Sequence, residues 1–152
     1  MDIKYVVGNL LKCDQKVLVH GCNNLGVMGS GVARQIRDTW PHVYDVYHDH
    51  YVNHGLELGE VVPARAHDDL LVLNAITQDG FGRDGAVYVK YDAIEQCFQN
   101  INHIMAYHGF TELALPRIGA GLGGGDWATI SEIISRVAVN YQPVVYDYVM
   151  AP

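Results

Sequence analysis

Cysteine pairs, clustered metal ligands, excess positive charge and long apolar runs are all missing from this sequence. Its three cysteines, Cys13, Cys22 and Cys97, are scattered and odd in number, with no CxxC pair. That argues against a disulfide framework or a zinc ribbon and suits a reducing cytoplasm. Ten Lys and Arg stand against seventeen Asp and Glu, a net charge of −7. Such a balance disfavours the sequence-independent phosphate contacts of a nucleic-acid binder. The longest apolar runs, at residues 70–73 and 144–146, are strand-sized and too short for a membrane. The opening MDIKYVVGNLL has no basic start, long apolar stretch or small-residue cleavage site, so no export signal is expected. His48, His50 and His54 lie along a predicted helix without an HExxH pattern. They read as a solvated face, and no metal or other cofactor is expected.

What is present suits one self-sufficient globular unit spanning 1–152. Apolar residues make up 49% of the 152 and charged residues 18%, enough for a core without staples. Residues 3–7 and 17–20 read as valine-rich strands, more continuous than alternating, as in strands covered on both faces. A helical period follows over 28–40, ended by Pro41, and another over 42–54. Strands are predicted at 60–66, 70–77 and 112–118. Helices are predicted at 89–108, with Gly109 as its cap, and at 127–140. Pro143 punctuates the chain before a last strand at 144–149. Alternating strands and helices imply an α/β sandwich with a largely parallel sheet.

Two glycine-bearing segments join a strand to a helix: HGCNNLGVMGSG at 20–31 and PRIGAGLGGGDW at 116–127. Helix N-termini offer unpaired N–H groups, glycine admits an anion closely, and open α/β sheets bind ligands beyond their strand ends. Two such loops at one edge suit a ligand with several phosphates or polar sugars. Either is also compatible with a plain turn, although five glycines among 119–125 exceed what a turn needs. Gly119, Gly121 and Gly124 satisfy GxGxxG, but a dinucleotide fold opens with that unit, whereas only one strand follows it here. Neither loop ends in Gly-Lys-Ser/Thr, which excludes a nucleoside-triphosphate loop.

Two titratable residues stand at these loops. His20 ends the second predicted strand and reads either as an acid–base group or as a histidine satisfying backbone. Asp126 reads as the N-cap of the helix that follows it, a role compatible with orienting His20 or acting as an acid. Asn23 and Asn24 suit either ribose hydroxyls or turn geometry.

In order, VVGNLL, HGCNN with MGSGVARQI, NAIT and LPRIGAGLGGGDW resemble the macro domain family over nearly the whole chain. The resemblance implies a three-layer α/β/α fold with a mixed, largely parallel sheet and ADP-ribose across the strand ends. It implies that Asn23, Asn24, Gly29, Ser30, Gly31 and Val32 hold the distal ribose, with Asn24 favoured as its hydrogen-bonding partner. Ile118, Gly119, Ala120, Gly121, Leu122 and Gly123 would wrap the diphosphate, and Tyr146 would stack on adenine. Asn9 stands where many members carry an aspartate for the adenine amine; its oxygen can still accept that bond. The subgroup it looks most like contains ADP-ribose 1''-phosphate phosphatases and ADP-ribose glutamate-ester hydrolases. The ester hydrolases use a lysine where this chain has Gln78 and an aspartate where it has Gly123, so lysine chemistry is not expected. The expected activity is removal of the 1''-phosphate of ADP-ribose, with His20 and Asp126 catalytic. Alternatives are binding without turnover and removal of ADP-ribose from proteins, which would make ADP-ribosylated protein a further partner.

Overall fold

The computed structural model describes residues 1–82 and 84–147. Six strands form one sheet: β1 (Lys4–Val7), β2 (Val17–Asn23), β3 (Val61–His67), β4 (Leu70–Gln78), β5 (Glu112–Leu115) and β6 (Gln142–Asp147). Their spatial order is β1-β6-β5-β2-β4-β3. All neighbours are parallel except β3 and β4, which are antiparallel. The short 67–70 connection explains that exception, since a parallel return needs a crossover of a dozen or more residues.

Helices α1 (Gly31–Thr39) and α2 (Pro41–His54) cover one face, and α3 (Tyr91–His108) and α4 (Trp127–Val137) cover the other. Alternation along the strands sorts the core. Val17, Val19, Leu71 and Leu73 pack with Ile94 and Phe98 of α3 and with α4, whereas Leu18 and Val72 pack with Ile36 and Val43. β2 and β4 are buried on both faces, which accounts for their unbroken apolar character. Each large side chain so buried contributes about 1.5–3 kcal/mol. No helix among the described residues is long and apolar enough to cross a membrane.

Several boundaries differ from expectation, and each difference has a cause. β2 runs on to Asn23, because Gly21, Cys22 and Asn23 pair with Ala75, Ile76 and Gln78. β5 stops at Leu115, since Ile118 N–H turns back to the carbonyl of Pro116 at 2.7 Å. Pro143 lies inside β6 rather than before it. Gln142 N–H bonds Thr111 on the β5 side, so by alternation the Pro143 nitrogen faces β1, whose pairing starts only at Val144. Of the last predicted strand, residues 148 and 149 lie outside the described residues.

Candidate functional site

Both glycine loops and the end of β4 line one cleft of about 570 Å³ at the carboxyl ends of the parallel strands. The first loop contributes Asn23, Val27, Gly29, Ser30, Gly31 and Val32, and the second Ile118, Gly119, Gly121, Leu122 and Gly123. The loops approach each other closely: a Cβ on Gly31 would sit 3.8 Å from Leu122 Cδ1.

The first loop is shaped by side chains. Asn23 is buried, and its Oδ1 accepts the N–H groups of Leu25 at 3.0 Å and Val27 at 3.4 Å. Its Nδ2 donates to the Val27 carbonyl at 2.7 Å, while the buried Tyr47 hydroxyl donates to the Asn23 carbonyl. Asn24 donates to Asp79 Oδ1 and accepts Gly80 N–H, tying the loop to the segment after β4. Asn24 does not line the cleft, so both amides expected at the ribose are engaged in loop geometry. The loop ends at Ser30, the N-cap of α1, whose side chain makes no capping bond. The N–H groups of Ser30, Gly31, Val32 and Ala33 have no acceptor among the described residues, as expected at a helix start.

The second loop is shaped by backbone. Gly125 N–H bonds Gly119 O at 2.9 Å, Gly124 N–H bonds Gly121 O, and Ala120 N–H bonds Arg117 O. The Gly123 carbonyl accepts from Tyr88 at 2.8 Å and from Val89 at 3.1 Å. Gly119 and Gly124 adopt φ of +77° and +75°, and Cβ atoms there would meet Val89 and the Ala86 carbonyl at 2.8 and 2.7 Å. Glycine is therefore required at both positions. The N–H groups of Gly119, Gly121, Leu122 and Gly123 have no acceptor among the described residues. Ala120 is the exception in this run and does not line the cleft.

Two runs of backbone N–H groups without an acceptor among the described residues thus belong to residues that line one cavity, an arrangement suited to anions. Arg117 is the one cationic side chain lining the cleft among the described residues. It forms a double hydrogen bond with Asp147, at 2.8 and 3.1 Å, and lies near the rings of Tyr5 and Trp127. The guanidinium holds the Asp147 carboxyl below its ordinary pKa. Sequence reasoning missed Arg117, together with Phe81 and Gly82, because neither a lone arginine nor a loop residue carries a periodic signal.

Besides Asn24 and Ala120, four expected site residues are placed elsewhere. His20 is fully buried in β2 with its Nε2 2.6 Å from Asn74 Oδ1 and 3.5 Å from Cys22 Sγ. Burial lowers its pKa to about 4, partly opposed by the Asn74 hydrogen bond, so it is a neutral core residue rather than an acid–base group at the ligand edge. Asp126 is exposed and caps α4, its Oδ2 accepting from Thr129 N–H at 3.1 Å and Thr129 Oγ1–H at 2.7 Å. Those bonds lower its pKa, the wrong direction for a general acid. The structure does not bring His20 and Asp126 together at the cleft, and neither lines it. Asn9 caps a short 3-10 turn through Leu11 N–H at 3.0 Å. Tyr146 donates its hydroxyl to Gln15 and accepts Asp14 N–H. Neither Asn9 nor Tyr146 lines the cleft.

The comparisons with known proteins agree with this fold. An ADP-ribose 1''-phosphate phosphatase of Candida glabrata is 23% identical to this chain, covering 96% of it and 98% of the relative. A DNA ADP-ribosyl glycohydrolase of Thermus aquaticus is 24% identical over 99% of this chain, which spans only 42% of that longer protein. A solved structure from Bacteroides thetaiotaomicron is 30% identical, superposes with a TM-score of 0.87, and is matched over 97% of this chain and 98% of its own. The Macro domain family model matches residues 19–134, most of the chain, and the chain belongs to the Macro domain family.

Proposed function

We propose that this protein binds ADP-ribose bearing a 1''-phosphate and hydrolyses that phosphate. One observation carries the reading: the cleft presents two separate N–H arrays, at the second loop and at the α1 N-terminus. The second-loop array suits the diphosphate, and the α1 array suits a further anion at the far ribose. A cleft of about 570 Å³ is of the size that encloses such a ligand. The chemistry needs little beyond positioning. Water attacks phosphorus as the P–O1'' bond breaks; one water proton ends on O1'' and the other stays on the released phosphate. Fixed N–H dipoles stabilise the charge on the transferring group. The phosphatase of Candida glabrata, matched end to end, supports the same substrate class. The three cysteines are free thiols, two of them buried, which supports placement in a reducing cytoplasm.

The assay offers ADP-ribose 1''-phosphate and glutamate-ADP-ribosylated protein separately. Phosphate release from the first is expected. With Gln78 in place of an amine nucleophile, no rapid ADP-ribose release from the second is expected. Rapid release of ADP-ribose would overturn the choice of substrate. A second reading, binding without turnover, is favoured by the lining itself: among the described residues it holds no histidine and no carboxylate. Tight binding of ADP-ribose 1''-phosphate with no phosphate release would select it.

A further inference from the structure

A ligand in this cleft has a direction. The α1 N-terminus, proposed for the far ribose and its phosphate, follows β2, and the second loop, proposed for the diphosphate, follows β5. In the sheet order β6 lies beyond β5, on the side away from β2. A linear ligand that runs from α1 past the second loop therefore carries its nucleoside half toward the end of β6. Asn9 and Tyr146, expected to receive the base, are spent on a 3-10 turn and on Gln15 and Asp14. Arg117, bonded to Asp147 at the end of β6, is the charged side chain that lines the cleft instead.

Three neighbours hold its guanidinium. Nε and Nη2 donate to the two carboxylate oxygens of Asp147 at 2.8 and 3.1 Å, which fixes the plane of the group. Its central carbon lies 5.2 Å from the Tyr5 ring centroid and 5.6 Å from that of Trp127. Those rings are themselves joined, Trp127 Nε1 donating to the Tyr5 hydroxyl at 3.1 Å. The Arg117 side chain nonetheless stays 47% exposed, so it is held without being covered. Its charge is already matched by Asp147, whereas the second loop offers backbone N–H groups with no acceptor among the described residues. A phosphate would have to compete with that carboxylate for the guanidinium. A base would not, because an aromatic ring packs on the flat face and leaves the in-plane hydrogen bonds intact.

We infer that Arg117 is a specificity-determining residue for the base, its guanidinium face packing on the adenine ring, with Asp147 as the positioning residue that holds the plane. The inference rests on the proposed ligand and adds the side chain that reads its nucleoside half.

The test compares wild type with Arg117→Lys, Arg117→Ala and Asp147→Asn, each checked for wild-type melting behaviour, since an exposed pair contributes little to folding. Calorimetry measures ADP-ribose. Competition against it measures ribose 5-diphosphate, which lacks the base, and phosphate release from ADP-ribose 1''-phosphate gives kcat and KM. Both Arg117 variants are expected to lose about 10-fold in ADP-ribose affinity. KM should rise about as much with kcat unchanged, because a base contact is made equally in the ground and transition states. Ribose 5-diphosphate is expected to change by less than about 2-fold. Asp147→Asn can still accept one of the two bonds and is expected to lose about 3-fold on ADP-ribose alone. Equal losses on both ligands would show a phosphate contact and overturn the inference. Full affinity in Arg117→Lys would show a need for charge rather than for the plane, and would overturn it too. Where ribose 5-diphosphate competes too weakly to measure, Arg117→Lys decides. A wild type that binds ADP-ribose without releasing phosphate would sink the proposed activity and leave the affinity test of Arg117 in force. A wild type that does not bind ADP-ribose would overturn both.

Discussion

The two glycine loops face the same cavity but are held by opposite means. The first rests on side chains: Asn23 organises the turn, Tyr47 braces Asn23, and the His20–Asn74 pair lies beneath in the core. The second rests on backbone hydrogen bonds and on glycines packed where no Cβ fits. Glycine therefore means different things in the two places. In the first loop an asparagine carries most of the shape, and glycine is required at single points, as at Gly26, where φ is +76° and a Cβ would lie 2.6 Å from Tyr51 Cδ2. In the second, glycine itself carries the shape, except at Gly121, where a Cβ would meet nothing within 4 Å.

The largest expected effect exploits that exception. Gly121→Glu places a negative side chain at a lining position without a steric clash, so the fold should survive while ADP-ribose affinity falls by about 100-fold or more. Calorimetry on a variant with wild-type melting behaviour checks it. Undiminished binding would remove the second loop from the site.

Acid should separate the loops next. The folded pKa of His20 is lowered from 6.5 to about 4 by burial, so between those values the unfolded chain binds the extra proton. Stability from this group is fully present above pH 6.5 and is lost as pH falls toward 4, by about 3 kcal/mol. His20→Gln removes the titrating ring, so urea unfolding of the variant should vary less with pH across that window than wild type does. Identical pH profiles for the two proteins would show that His20 does not titrate as described.

A smaller effect compares glycine with glycine. Gly119→Ala meets Val89 at 2.8 Å with φ at +77° and should cost about 2 kcal/mol. Gly29→Ala meets only Val27, at 3.4 Å, and should stay within about 0.5 kcal/mol. Equal losses in urea unfolding would erase the distinction between the loops.

The smallest effect concerns Asp126. Asparagine caps about as well as aspartate, so Asp126→Asn should change stability by under about 0.5 kcal/mol and leave phosphate release intact. A strong loss of turnover in that folded variant would return Asp126 to the chemistry.

Much of this was legible in the sequence because it is local. Valine-rich strands, the helical period over 94–105 and the glycine-dense 119–125 run each follow from spacing along a few residues. They determined the layered α/β fold, and both loops do meet at one cleft. Which side chains face that cleft was decided by tertiary structure. His20 reads as a strand end because Gly21 and Asn23 are poor strand formers, yet pairing with β4 carries the strand three residues further. Those three residues move the edge past His20, and the pleat then directs its ring into the core beside Asn74. Asn24 and Tyr146 carry groups suited to a ligand, but partners distant in sequence, Asp79 and Gln15, take them first. Gln78 shows the reverse: by composition it is an ordinary glutamine at a strand end. Tertiary packing brings its side chain beside Gly21 and Gly123, 57 and 45 residues away in the chain, at the lining of the cleft. A hydrogen-bond partner is a property of the whole fold, because which donor reaches which acceptor depends on contacts that local spacing does not encode.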